Sequence, residues 1–159
     1  MALGGSCDPA LAGALGALGA RVEEVPALDG ADEERVGEWA RSRAPLHALV
    51  YFQGGFEDLL AGAWAAVREV ATGALISDGG GKVVLIAPGG APAVAAGLEN
   101  LARTLSVEWA RYGVTVVAVA PGPHARAEDL TEVLCYLVSP AGDYFTGCRI
   151  DVGLTAPGG

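Results

Sequence analysis

Few residues in this chain of 159 combine a reactive side chain with a position where chemistry could be done. His124 follows Pro121-Gly122-Pro123, at the close of an apolar run that reads as a parallel strand. Such strand ends are where open α/β sheets hold ligands. Tyr51 and Gln53 close a neighbouring apolar run. A histidine near a tyrosine can move a proton, so these residues form one candidate acid–base site. The competing reading has His124 exposed in a loop and Tyr51 packed in the core. His47, at a strand start, reads as structural, and Lys82, before a strand, reads as solvated. A second candidate is Gly4-Gly5-Ser6-Cys7-Asp8-Pro9. Glycines let a backbone approach a pyrophosphate, and a helix N-terminus stabilises it. Asp8 would set a negative charge beside that phosphate, and Pro9 has no amide to donate. A helix start, with Asp8 as N-cap and Pro9 at the first helical position, is the preferred reading. The cysteines Cys7, Cys135 and Cys148 are odd in number and widely spaced, with no CxxC and no Cys/His cluster, which gives no metal or redox motif.

The elements that must position these residues are legible from periodicity. Residues 82–87 are a continuous apolar run, 94–112 a long helical pattern, and 113–122 a second apolar run closed by Pro-Gly. That is a strand, a crossover helix and a parallel strand. Before them, 46–52 reads as a buried strand and 56–75 as a long helix. After them, 127–138 reads as a helix with Glu128 and Asp129 suited to its N-terminal dipole, and 144–152 as a last strand. At the front, 10–18 is a helix of Ala, Leu and Gly. Gly13 and Gly16 each cost about 1 kcal/mol there, which implies close backbone packing. Residues 1–6 are too short for a full first strand, 21–25 is a short strand, 29–32 a turn, and 33–43 a charged helix with Val36, Trp39 and Ala40 on one face.

The segment 96–110 reads Ala-Gly-Leu-x-x-Leu-x-Arg-x-Leu-x-x-Glu-Trp-Ala and is followed by Pro121-Gly122. This resembles the short-chain dehydrogenase/reductase family at its catalytic helix and the strand after it. Thr146-Gly147, followed by an acidic residue and glycine, is similar to the family's last strand. The resemblance implies an α/β fold, a doubly wound parallel sheet of Rossmann type with a reduced N-terminal half. The first 45 residues fit either the family's first helix and second strand or its second helix and third strand. The resemblance also locates the residues that active members use. Their tyrosine and lysine fall on Ala91 and Ala95, their asparagine on Leu59, and their serine among Ala87, Pro88 and Gly89. None of these groups can polarise a carbonyl or donate a proton. The expected site set is therefore none for catalysis, none for cofactor and none for metal. No cofactor is expected, with NAD(P) implied only if the chain is an oxidoreductase with an atypical site.

The family assembles through long helices and through its last strand, and those elements are well preserved here. The expectation is a non-catalytic subunit, acting as a homo-oligomer or as the partner of an active relative, with Trp64, Trp109 and Tyr112 as candidate anchors. A small-ligand protein using the crevice near Tyr51, Pro88 and Pro121 is a further reading. The net charge of −9, with ten basic residues, argues against nucleic acid. Mean hydropathy is +0.38, yet no apolar run approaches ~18 residues, so no membrane span is expected. A single domain over 1–159 with a frayed tail at 154–159, without a signal peptide and located in the cytoplasm, completes the expectation.

Overall fold

The computed structural model describes residues 1–5, 9–26, 33–54 and 60–154. Their strands are β1 (Ala2–Gly5), β2 (Glu23–Glu24), β3 (Ala48–Phe52), β4 (Gly81–Ile86), β5 (Val114–Pro121) and β6 (Cys148–Val152). The helices are α1 (Pro9–Ala17), α2 (Glu33–Arg43), α3 (Ala61–Val70), α4 (Pro92–Trp109) and α5 (Ala127–Val138). The strands form one sheet in the order β2-β1-β3-β4-β5-β6, with every pairing parallel.

The apolar runs have a direct structural reason. In β4, Val83 and Leu85 face one layer while Val84 and Ile86 face the other, and all four are buried. In β5, Val116 and Ala118 face the first layer, and Val117 and Val119 the second. A strand covered on both faces has no solvent side to carry polar residues. α2, α3 and α4 cover one face through Val36, Val67, Val70, Leu98 and Leu105. α1 and α5 cover the other through Leu11, Leu15, Leu134 and Leu137. This is the doubly wound α/β architecture expected from the sequence, with a reduced N-terminal half. After β2 the chain passes through α2 directly to β3, which lies beside β1 rather than beyond β2. The ambiguity of the first 45 residues resolves accordingly: α1 and β2 follow the first strand, and one strand–helix unit is missing after them.

Several local expectations are corrected. Residues 2–5 do form the first strand, because Ala2 to Gly5 pair with Leu49 to Phe52 on one side and with the two residues of β2 on the other. Gly13 and Gly16 meet nothing within 4 Å where a Cβ would sit, so no backbone packs against them among the described residues. Close packing occurs instead where Gly73 approaches the carbonyl of Gly37 and the side chain of Ala40. Gly73 lies in a π-helical turn, Ala71–Leu75, that extends α3. Lys82 is not solvated: its Nζ donates to the Ser139 carbonyl at 2.7 Å and pairs with Asp143. The last strand starts at Cys148, since Tyr144 belongs to a 3₁₀ turn, Pro140–Tyr144. The expected turn at 29–32, the helix residues 56–59 and the tail from 155 lie outside the described residues.

The start of α5 is fixed by charge. The Arg126 amide donates to Asp129 Oδ2 at 3.0 Å, and the Arg126 guanidinium bonds the same carboxylate at 2.6 and 3.1 Å. The Arg126 side chain first, and its backbone amide second, hold the Asp129 carboxyl below its usual range. A depressed folded value means that the contribution is present above the unfolded pKa and lost as pH falls through the folded one. Asp129→Asn should therefore lower the melting temperature near pH 7, and the difference from wild type should shrink as pH falls through the folded pKa of Asp129. Gly13→Ala and Gly16→Ala should each stabilise the protein by about 0.5–1 kcal/mol. Gly5→Ala should destabilise it by about 2 kcal/mol or more, because its φ is +76° and a Cβ would lie 1.9 Å from the Phe52 carbonyl oxygen. Urea denaturation of the three variants measures this contrast.

Candidate functional site

The C-terminal ends of the parallel strands lie together at one end of the sheet, where the strand–helix connections leave crevices. Two clefts open there. The first, of about 210 Å³, lies beyond β4, β5 and β6. Its walls include Pro88, Ala91, Ala95, Pro121, Arg149 and Asp151. Ala91 is the residue before the first turn of α4, and Ala95 lies one turn further on, buried. α4 starts here because Pro92 presets the backbone of its first turn. The charged wall is internally matched. Arg149 bonds Asp151 at 3.1 Å and Glu99 at 3.0 Å, and Glu99 also pairs with Arg103 at 2.7 Å. The cleft thus offers methyl groups, proline rings and a saturated ion-pair network.

The second cleft, of about 170 Å³, lies where β1 ends, between α1 and β2. It is lined by Leu3, Gly5, Pro9, Ala12, Glu24 and Val25. β2 is held to β1 by the Val25 amide donating to the Leu3 carbonyl at 2.7 Å. That contact brings Glu24, an exposed acid, to the mouth of the cleft. In open α/β sheets an acidic residue about twenty positions after the first glycine turn can accept from a ribose diol. Glu24 was missed as a candidate from sequence. The signal was available in its distance from Gly4-Gly5 and its place at the end of a short strand.

The other sequence candidates separate. Tyr51 is 8 % exposed, packs in the core on the α3 side, and turns its hydroxyl toward Gly62. His124 is exposed in the connection after β5, its amide donating to the Gly153 carbonyl at 3.0 Å. Two strand spacings, on the order of 10 Å, stand between β3 and β5. The acid–base pair is therefore not assembled, and the crevice expected at Tyr51, Pro88 and Pro121 contains only the two prolines. Gln53 is buried at the end of β3, with its amide donating to the Ile86 carbonyl. His47 lies at the opposite end of the sheet, beside Pro45 and Arg21. Cys135 and Cys148 are half-buried free thiols, and burial pushes the Cys148 thiol up, which keeps it protonated at neutral pH. No group of three or more metal-ligating side chains occurs among the described residues. No helix there is long and apolar enough to cross a membrane. Leu59, and Ser6 to Asp8 of the glycine turn, lie outside the described residues.

No family model matches the chain. The likeness to solved structures is extensive. Sorbitol-6-phosphate 2-dehydrogenase from Erwinia amylovora superposes with a TM-score of 0.79 at 17% identity, covering 97% of this chain and 98% of that one. A protein provisionally assigned as a short-chain dehydrogenase/reductase, from Burkholderia xenovorans, gives 0.73 at 21%, covering 88% and 76%. One provisionally assigned as an NAD(P)-dependent gluconate 5-dehydrogenase, from Beutenbergia cavernae, gives 0.70 at 22%, covering 86% and 77%, and was solved with NADP bound at low occupancy. The fold of this chain is that of the short-chain dehydrogenases/reductases.

The comparison corrects one expectation. The absence of any cofactor does not follow from this fold, because a protein that shares it holds NADP. The residues present fit such a dinucleotide unequally. At the β1–β2 cleft, Gly5 takes a positive φ that side chains disfavour and keeps the strand end bare, and Glu24 offers a carboxylate. At the β4–β6 cleft, Ala91 and Ala95 have no hydroxyl or ammonium with which to hold a second ribose or a carbonyl.

The Arg149 network is half exposed, so solvent screens it and its contribution is small. Arg149→Met should change stability by no more than about 1 kcal/mol, equivalent to roughly 2–4 °C in melting temperature. The difference should shrink in high salt, as differential scanning calorimetry at two ionic strengths would record.

Proposed function

We propose that this chain is a non-catalytic subunit with the short-chain dehydrogenase/reductase fold, acting through its assembly surfaces with a second copy or with an active relative. The observation that carries this reading is the pair Ala91 and Ala95, at the mouth of α4. Carbonyl reduction needs a proton donor and a group to polarise the oxygen, and the cleft wall at these positions is methyl. Arg149 and Asp151 do not substitute, since each is bound to the other.

Two surfaces support the assembly half of the reading. On the outer side of α3 and α4, Trp64 and Val107 are exposed, Val107 by 79 %. Trp64 lies under the Arg68 guanidinium, 5.9 Å from the ring centroid. The second surface flanks β6, which among the described residues is an edge strand paired only with β5. There Tyr136 and Phe145 stack edge-to-face at 5.7 Å, and Tyr144 is 92 % exposed. Aromatic side chains of this kind anchor interfaces, and an uncovered parallel edge invites pairing. Two anchors expected from sequence are reassigned. Trp109 is only 7 % exposed and belongs to the core cluster, and Tyr112 is half-buried with Arg111 over its ring at 4.6 Å.

Light scattering of the purified chain should return a dimer or larger. Trp64→Glu with Val107→Glu, or Tyr136→Lys with Tyr144→Ser, should reduce it to monomer while melting within a few degrees of wild type. A wild-type chain that stays monomeric alone and when mixed with every co-encoded active relative would sink the proposal.

A further inference from the structure

We infer that a groove at the N-terminal end of the sheet binds a small monocarboxylate with a short apolar body, held by Arg21 and His47. The groove lies at the opposite end of the strands from the two clefts, and the inference is independent of how the chain assembles.

The groove has a volume of about 360 Å³, larger than either cleft at the other end and within the ordinary range for small-ligand sites. Its wall forms where three elements stop or start. Ala20 and Arg21 follow α1, Pro45 and His47 lead into β3 at Ala48, and Val138 ends α5. Most of that wall is apolar, and its polar side chains are Arg21 and His47. Hydrogen bonds along the sheet fix both backbones. The Met1 nitrogen donates to the Arg21 carbonyl at 2.6 Å, and the Lys82 amide donates to the His47 carbonyl at 3.1 Å.

The C-terminal ends of α1 and α5 also point to this end of the sheet. Their carbonyls favour cations and oppose anions. Other groups answer that field. α1 closes on Gly19, at a φ of +91°, with the Gly19 amide donating to the Gly16 carbonyl at 3.0 Å and the Ala20 amide to the Leu15 carbonyl at 3.1 Å. At the end of α5 the Lys82 ammonium donates to the Ser139 carbonyl at 2.7 Å and pairs with Asp143. Neither helix end uses Arg21 or His47. The His47 ring, expected from sequence to be structural, makes no hydrogen bond or ion pair with any described residue. Arg21 meets the Glu23 carboxylate at 3.4 Å, and Arg43 shares that carboxylate at 3.7 Å. Two guanidinium groups against one carboxylate leave positive charge in excess. The Arg21 side chain is 72 % exposed, so its ion pair is weak and readily exchanged for a ligand.

These parts specify the ligand. A guanidinium takes a carboxylate through two parallel N–H bonds, and a neutral imidazole adds one N–H. The alanine, proline and valine wall is covered only by hydrocarbon. Inorganic phosphate would meet the cations and leave that wall wet.

Nuclear magnetic resonance titration of the full chain at constant pH, with hexanoate, hexanamide and inorganic phosphate as probes, tests this. Hexanoate should shift the His47 ring and the Ala48 amide saturably, with a dissociation constant on the order of 1 mM. The His124 ring, at the other end of the sheet, should not move. Hexanamide and phosphate should each bind at least about fivefold more weakly. Arg21→Gln, at an exposed position, should weaken hexanoate by about fivefold or more. Hexanamide binding as tightly as hexanoate would show a groove indifferent to charge, and phosphate binding as tightly would show one indifferent to the apolar body. Either result overturns the inference. So does the absence of a saturable shift at about 20 mM hexanoate, or Arg21→Gln binding it as wild type does.

Discussion

The structure depends on the pairing of β4 with β3 on one side and β5 on the other. These strands are buried on both faces, so their amides and carbonyls have no water to turn to. Each must find its neighbour, and the neighbour must be equally apolar. This requirement explains the composition of the chain more directly than any functional demand. It also fixes where the clefts can lie. Once the strands run parallel, their C-terminal ends gather at one end of the sheet, and the connections to α3, α4 and α5 must leave from there. The clefts are a by-product of satisfying backbone hydrogen bonds in a dry layer.

Within that frame the protein treats its two halves differently. Around β4 and β5 the helices are long, and Trp109 at the end of α4 is buried in the same core cluster as Val114, Val116 and Ala118 of β5. Around β1 and β2 the elements are short, and β2 is two residues long. The half with the longer helices has alanine at Ala91 and Ala95, the two positions where the sequence resemblance puts a tyrosine and a lysine. The half with the shorter elements keeps the glycine strand end and the acid opposite it. The walls of both clefts are backbone and small residues that the sheet needs in any case.

How much of this could be read from sequence depended on how local the cause was. The central strand–helix–strand unit was legible because burial on both faces leaves an uninterrupted apolar run, and α4 because its apolar spacing is regular. Its alanines were legible as missing chemistry only through the resemblance. β1 was hidden because its four residues become a strand only when β3 supplies partners, a contact with residues more than forty positions away. Gly13 and Gly16 misled because glycine in a helix suggests a close neighbour, whereas the neighbour was elsewhere, at Gly73. Trp109 misled for the opposite reason: a large aromatic on a helix fits core and interface equally well, and only the face it takes decides. Lys82 was misjudged because its partners, Ser139 and Asp143, lie far along the chain. Glu24 went unseen because its meaning requires knowing that β2 lies beside β1.

The strand order has a geometric consequence for any assembly. Each strand in a twisted sheet is rotated by about 20–25° from the next, so the five pairings of this sheet accumulate on the order of 100–125° between β2 and β6. A sheet with one strand more at the β2 edge would fan out by a further 20–25° there while leaving the β6 edge unchanged. Two chains of these kinds could meet face to face across their shared elements and still present flanks that diverge in direction on one side. A mixed pair would then be lopsided, with a recess beside β2 where the longer chain projects and this one does not.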